Sequence, residues 1–268
     1  MLDLNNVYHG DCLTLMKSID DKSIDMILCD LPYGTSKCKW DTIIPFDLLW
    51  DHYKRVIKDN GAIVLTASQP FTSNLIMSNL GMFKYCWVWE KSNPANIAQA
   101  NRQPLKYHED VCVFYSKQPT YNKKMIERSE NGKKRIISHQ KSGVPFKMSA
   151  TEHQGLGKPT VEYGPDRYDA NLKNPSTVLK FKVDRGKLHP TQKPVALFQY
   201  FVETYTNEGD TVLDNCAGSG TTGIACINAN RNFILMELDE KYCDTSNKRI
   251  KQRYEEIKEA QEIKETQE

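Results

Sequence analysis

Two hundred and sixty-eight residues, 39% of them hydrophobic and 26% charged, suit one large α/β or β domain with an insertion, and exclude disordered and fibrous chains. No run approaches the roughly 20 apolar residues a bilayer requires, and Met1-Leu2-Asp3-Leu4-Asn5-Asn6 lacks the layout of a secretion signal, so a cytoplasmic chain without membrane contact is expected. The net charge of +2 hides a local excess, because residues 118–188 hold 15 of the 36 basic residues but only 7 of the 34 acidic ones.

In chain order, short apolar runs alternate with helical stretches, the pattern of βαβ units. Ile24–Cys29 reads as a strand, Phe46–Ile57 as an amphipathic helix, Asp59-Asn60-Gly61 as its stop and Ala62–Thr66 as the next strand. Phe71–Leu80 reads as a helix, and Phe83–Glu90 with Glu109–Tyr115 as an antiparallel edge. Periodicity fades from Ser116 to Lys187, where no buried element is expected. It returns with a helix from Pro194 to about Tyr205, a strand at 210–214, a glycine-rich turn, a helix through Asn228, a strand at Phe233–Glu237 and a charged helix from Lys241 to Glu268. The eight cysteines form no C-x-x-C pair and no zinc-like cluster, so they read as reduced thiols and no metal site is expected.

Gly218-Ser219-Gly220-Thr221-Thr222-Gly223 is a G-x-G-x-x-G turn between a strand and a helix. Glycine permits the sharp turn and leaves a ligand room at the helix N-terminus, while Glu237, 19 residues past Gly218, can accept from ribose hydroxyls. An adenosine-containing ligand follows, and both a nicotinamide cofactor and S-adenosylmethionine fit. A dinucleotide fold needs a second half after the first, yet little more than one charged helix follows Glu237. The remaining strands must therefore come from the N-terminal half, in a permuted order.

The second constellation is Asp30-Leu31-Pro32-Tyr33, where the strand at 24–29 ends. Ligand chemistry in open parallel sheets gathers at such ends, which also carry Asp214, Glu237 and Ser68-Gln69-Pro70. The exocyclic amine of a nucleobase is a poor nucleophile because its lone pair is delocalised into the ring. The Asp30 carboxylate and the Leu31 carbonyl can each accept one amine N–H and stabilise the charge that grows as a methyl group arrives, while Tyr33 can stack on the base. Pro32 fixes the direction of the carbonyl.

Together with His189-Pro190-Thr191-Gln192-Lys193-Pro194, these two motifs resemble the DNA amino-methyltransferases, which modify N6 of adenine or N4 of cytosine with S-adenosylmethionine. Their order resembles the family's β-type permutation. The resemblance implies a Rossmann-like doubly wound α/β fold, mostly parallel with an antiparallel edge and circularly permuted. Residues 1–116 would be the catalytic half, 117–188 a basic target-recognition insertion, and 189–268 the cofactor-binding half with the terminal helix. It implies Asp30, Pro32 and Tyr33 in catalysis and base binding. Asp214, Asn215, Cys216, Ala217, Gly218, Ser219, Gly220, Thr221 and Thr222 would surround the cofactor together with Asp30. Glu237 would hold its ribose, Asp11 would lie near its adenine, and Thr191, Gln192 and Lys193 near its carboxylate end. Two positions depart from the family pattern: Leu31 replaces a usual proline, and Asn215-Cys216 replaces Pro-Phe. Aspartate at position 30 leans towards adenine.

A base inside a duplex must be flipped out to reach such a cleft. Lys123, Lys124, Arg128, Lys133, Lys134, Arg135 and Lys147 can neutralise phosphates, and Arg167, Tyr163 and Tyr168 can reach bases. Trp87 and Trp89 read as strand packing rather than base platforms. The lead reading is a DNA adenine-N6 methyltransferase without metal, DNA being the partner. The resemblance also allows a homodimer and a cognate restriction endonuclease. The alternatives are a cytosine-N4 enzyme, a protein-glutamine methyltransferase and a nicotinamide-dependent oxidoreductase.

Overall fold

The computed structural model describes residues 2–36, 38, 41–148, 161–164, 167–184, 188 and 191–266, with only the backbone of 146–148 and 161–163. Its described residues divide into two compact units: the first comprises the residues up to Asn122 and those from Thr177 on, the second Lys123–Ser176.

The first unit is built on an eight-stranded sheet. In chain order its strands are β1 (Asn6–His9), β2 (Ile24–Cys29), β3 (Ile57–Ala67), β4 (Phe83–Lys91), β5 (His108–Phe114), β10 (Val178–Phe181), β11 (Thr211–Asp214) and β12 (Asn232–Glu237). The spatial order is β1-β12-β11-β2-β3-β5-β4-β10. All neighbours run parallel except β5, which is antiparallel to both β3 and β4. The fold is thus a doubly wound, mostly parallel α/β sheet in which the strand before the glycine turn lies beside β2, the strand before the catalytic-type turn.

Both faces of the sheet are covered, which is why β2 and β3 read as continuous apolar runs rather than alternating ones. Ile27 and Cys29 pack on one face with Leu49, Trp50, Tyr53 and Phe71, contributed by α2 (Phe46–Val56) and α3 (Phe71–Ser78). Met26 and Leu28 pack on the other with Phe198, Phe201, Val202, Ile224 and Ile227, from α5 (Val195–Tyr205) and α6 (Thr221–Asn228). In α2 the buried positions 49, 50, 53 and 56 form one helical stripe, with Asp47 in the first turn and Lys54 and Arg55 in the last. Helix α7 (Glu240–Glu265) starts at an N-cap: Asp239 accepts from the Lys241 and Tyr242 amides, and the helix buries Cys243, Ser246 and Ile250 on one face. No described helix is long and apolar enough to cross a membrane.

One expectation changes, and two edge strands join those expected. Strand β1 was not legible, because its four residues at one edge are half-buried or exposed. Strand β3 begins at Ile57, so Asp59-Asn60-Gly61 lies within it rather than stopping a helix; a Cβ on Gly61 would stand 2.8 Å from the Asp25 carbonyl, which explains the glycine. The stretch expected to hold no buried element supplies β10, a strand with no buried residue, which pairs parallel with β4 and forms the outer edge of the sheet. An edge strand with an i/e burial pattern carries no continuous apolar signal.

The second unit contains α4 (Glu130–Ser142) with the short pairs β6 (Ile126–Glu127) with β9 (Leu172–Lys173), and β7 (Phe146–Met148) with β8 (Val161–Tyr163). Helix α4 is capped by Ser129, whose hydroxyl accepts from the Gly132 amide, and ends at Gly143 with φ 66°. The expected 117–188 insertion thus differs from the observed unit at both ends.

Candidate active site

Because seven strands run in one direction, seven carboxyl ends open on one side of the sheet. They deliver Asp11, Asp30, Ser68, Lys91, Lys182, Asp214 and Glu237 to a single cleft of about 1070 Å³. The antiparallel β5 brings its beginning to the same side, and Glu109 joins the lining. Asp30, Pro32, Tyr33 and Gly218 all line this cleft, so the two motif-bearing turns, far apart in the chain, share one opening.

At the glycine end, Gly218 and Gly220 adopt φ of 53° and 78°, a conformation that favours glycine. Their carbonyl neighbourhood is fastened by α7: Ser246 donates to the Gly218 carbonyl at 2.8 Å, and Arg249 donates to the Ser219 carbonyl at 3.1 Å and to Thr221 Oγ1 at 3.2 Å. Glu237 accepts from the Gly218 amide on Oε2 (2.7 Å) and from the Asp239 amide on Oε1 (2.9 Å). Burial pushes its carboxyl above the usual range. Asp11 caps α1 (Cys12–Leu15), accepting from the Thr14 amide, and lines the cleft.

Asp214 is buried, accepting from Thr222 Oγ1 and, at 3.0 Å, from the Cys216 amide. Burial pushes its carboxyl up to about 6. Asn215 is held by the Tyr53 hydroxyl, which donates to its Oδ1 at 2.6 Å, and its Nδ2 lies 3.6 Å from Cys12 Sγ and 3.5 Å from Cys216 Sγ. The departure from Pro-Phe is thus absorbed by a polar anchor beneath the turn, while Cys216 and Ala217 face the cleft. Ser219, Thr191 and Thr221 also line it; Gly220 and Thr222 lie behind the lining and shape the turn.

At the other end, Asp30 Oδ1 accepts from the Tyr33 hydroxyl at 2.9 Å and from Thr66 Oγ1, while Oδ2 takes Lys193 Nζ at 2.8 Å. Tyr33 stacks on Phe71 with centroids 5.0 Å apart and planes 27° apart. Burial first, and then the Asp30 and Glu109 charges, hold its phenol well above the ordinary value, so it remains a donor. Lys193 Nζ also lies 3.2 Å from Glu109 Oε2, and Lys91 Nζ 2.8 Å from Glu109 Oε1. Burial opposes charge on Lys193, but Asp30 and Glu109 outweigh it and raise its ammonium above the usual lysine value. Lys193, expected beside a cofactor carboxylate, thus stands with the Asp30 turn. Gln192 stays with the glycine turn, its Oε1 accepting from Ser219 Oγ at 3.1 Å.

Thr66, Lys91 and Glu109 are site residues that the sequence did not announce. Thr66 and Lys91 sit at the carboxyl-terminal parts of strands already recognised as strands, which was their available signal. Glu109 opens a strand of the expected antiparallel edge, but which of its two strands runs against the sheet, and so brings its first residues to the cleft, was not legible. Trp87 and Trp89 are 3% and 2% exposed, as strand packing requires.

In the second unit, Lys133 is held by Glu127 (2.6 Å) and Glu130 (2.9 Å), Lys123 donates to Asn174, and Arg128 donates to the Asp169 carbonyl. Lys134 and Arg135 are exposed on α4, Arg167 is exposed, and Lys124, Tyr168 are half-buried. His189, Pro190 and the side chains of Lys147 and Tyr163 lie outside the described residues.

Residues 24–248 match the family model for DNA methylases of the N6/N4 type. The chain is 27% identical to the Type II methyltransferase M2.MboI of Moraxella bovis, over 94% of this chain and 88% of that protein. It is also 27% identical to the DNA adenine methyltransferase YhdJ of Escherichia coli (strain K12), over 92% and 83%. Among solved structures, the M1.HpyAVI–SAM complex superposes with a TM-score of 0.59 at 25% identity, covering 91% of this chain and 98% of that one. The cytosine-N4-specific PvuII DNA methyltransferase shares the fold with a TM-score of 0.62 at 16% identity. With its permuted sheet, glycine turn and Asp30 turn opening on one cleft, this chain belongs to the N6/N4 DNA methylase family, the amino-methyltransferases that use S-adenosylmethionine.

Proposed function

We propose that this chain methylates the exocyclic N6 of adenine in DNA. The observation that carries the reading is that Asp30, Leu31 and Tyr33 line the same cleft as the glycine turn and Glu237. The cleft is large for one small ligand and has room for a nucleoside-sized cofactor beside an extruded base. The residues at the glycine end fit such a cofactor: each Glu237 oxygen takes one backbone donor and keeps acceptor capacity for a ribose diol, and the positive-φ glycines expose backbone at a helix N-terminus.

When bound, S-adenosylmethionine supplies a methyl group already activated on a sulfonium. Asp30 and the Leu31 carbonyl accept the two N–H groups of the amine, which localises its lone pair towards the methyl donor. Tyr33, fixed by Phe71 on one side and by Asp30 at its hydroxyl, presents an aromatic surface to the base. As nitrogen becomes positive, Asp30 stabilises the charge and can take the departing proton on Oδ2. Lys134 and Arg135 of the second unit are proposed to meet phosphates, and Arg167 to reach bases.

Aspartate at the first motif position and the adenine specificity of the YhdJ relative favour adenine over cytosine. Incubation with methyl-labelled S-adenosylmethionine and mixed-sequence DNA, followed by digestion to nucleosides, tests the reading. Label in N6-methyladenine is expected; label in N4-methylcytosine overturns the base assignment, and label on protein alone overturns the substrate class. An Asp30→Ala variant with normal transfer overturns the catalytic assignment.

A further inference from the structure

Four ionisable groups from four separate segments meet beside the Asp30 turn: Lys91 at the end of β4, Glu109 near the start of β5, Lys193 ahead of α5, and Asp30 itself. Lys193 and Lys91 side chains are 6% and 8% exposed, Glu109 15%. Two cations and two carboxylates balance, yet desolvating them is costly, and replacing such a cluster by apolar packing is often neutral or stabilising. A fold has no need of this cluster at the mouth of a cleft. The target carboxylate does have such a need.

We propose that Lys193 is the positioning residue for Asp30, keeping its carboxylate oriented, and that Glu109, itself held by Lys91, holds Lys193 in place. The inference rests on the proposed catalytic role of Asp30.

A carboxylate has about four acceptor positions. On Asp30, Tyr33 and Thr66 occupy Oδ1, and Lys193 occupies one position on Oδ2. One position on Oδ2 remains for an amine N–H, and the Leu31 carbonyl supplies the second acceptor. With three donors on two oxygens the group cannot rotate, so the free position keeps its direction. Glu109 Oε2 receives no well-aligned hydrogen bond of its own although it is buried 3.2 Å from Lys193 Nζ, so it acts on Lys193 as a charge rather than as a donor's partner. The link also runs along the chain: Gln192 accepts from Ser219 of the glycine turn, and the next residue grips Asp30.

The set of groups facing Asp30 makes the proposal readable by substitution. Asp30 faces Lys193 from the α5 side, Tyr33 from its own turn, Thr66 from β3, Glu109 and Lys91 from β5 and β4, and the Asp214 and Cys29 groups from β11 and β2. Without the Lys193 ammonium, Asp30 Oδ2 loses the donor that fixes its direction, and the negative charges of Glu109 and Asp214 remain nearby.

The experiment is the single-turnover rate of methyl transfer from saturating S-adenosylmethionine to mixed-sequence plasmid DNA, with cofactor affinity measured alongside, for the wild type, Lys193→Gln, Lys193→Met, Lys193→Arg and Asp30→Ala. Lys193→Gln keeps a hydrogen-bond donor without the charge and is the variant that guards against misfolding of Lys193→Met. The expected result is a single-turnover rate lowered by about 10-fold or more in Lys193→Gln and Lys193→Met with unchanged cofactor binding, and a rate largely restored in Lys193→Arg. A wild-type rate in Lys193→Met, or a loss that appears only as weaker cofactor binding, overturns the positioning role. Activity in Asp30→Ala overturns the underlying reading instead, and the two failures are distinguishable because they appear in different variants.

Discussion

The Gly218 amide donates to Glu237 Oε2 at 2.7 Å, so the turn after β11 and the acid ending β12 form one rigid unit. The relationship explains how a carboxylate pushed upward by burial is still aimed into the cleft: backbone groups fix both of its oxygens.

Glu237→Gln keeps one acceptor oxygen and loses the charge and the second acceptor. The KM for S-adenosylmethionine should rise by about 10-fold to 100-fold, the effect of weakening charge-assisted hydrogen bonds to a diol, with the single-turnover rate at saturating cofactor little changed. Steady-state kinetics with varied cofactor reads both quantities.

Tyr53→Phe removes the donor from Asn215 Oδ1, a buried contact of 2.6 Å. An unpaired buried acceptor costs about 1–3 kcal/mol, so the urea midpoint should fall. Cofactor affinity should fall with it, because Asn215 anchors the turn that carries Cys216 and Ala217 into the cleft. A normal midpoint with normal affinity refutes the anchor.

Gly220 and Gly209 both have left-handed φ, 78° and 82°, but a Cβ on Gly220 would lie 3.0–3.2 Å from Ser246 atoms whereas one on Gly209 would meet nothing within 4 Å. Each alanine substitution should cost about 1–2 kcal/mol for the backbone conformation. Gly220→Ala should cost more and should also weaken cofactor binding. Thermal melts of the two variants, with and without cofactor, isolate the contact.

Asp214 has a carboxyl raised to about 6 from an ordinary 3.8 by burial, its hydrogen bonds from Thr222 and the Cys216 amide acting the other way. The folded state therefore binds more protons than the unfolded state between these values. This group's contribution to stability falls as pH rises from about 4 to about 6 and is level above that, a loss of about 3 kcal/mol at 1.4 kcal/mol per unit. Asp214→Asn does not ionise, so its stability relative to the wild type should improve across that window. Urea melts at pH 4.5, 5.5 and 7 measure the trend; a constant difference would refute it.

Lys134 and Arg135 are exposed on α4, whereas Lys133 is engaged by two glutamates. Replacing both Lys134 and Arg135 by glutamate should weaken DNA binding and reduce the slope of log affinity against log salt by up to about 2, while Lys133→Ala should leave the slope near its original value. Fluorescence anisotropy at several salt concentrations distinguishes these outcomes.

Much of the architecture was legible because its signals are local. Continuous apolar runs at 24–29, 62–66 and 233–237 mark strands buried on both faces, and G-x-G-x-x-G between a strand and a helix marks a turn whatever surrounds it. Strands β1 and β10 escaped notice because edge strands bury too little to impose a pattern. Lys133 was legible as a charge but not as a charge already engaged, since its partners depend on how α4 meets the chain before it.

The sequence by itself determined the order of the motifs, the residue types available for an amine-directed reaction and the helices and strands that carry them, since these follow from spacing and side-chain chemistry. Only the tertiary structure decided that Lys193 grips Asp30 across 163 residues, and that Glu109 joins them. The physical reason is direction: β4 and β5 were legible as an antiparallel pair, but which of the two runs against the rest of the sheet, and so brings its beginning to the cleft, is set by packing rather than by a local pattern of residues.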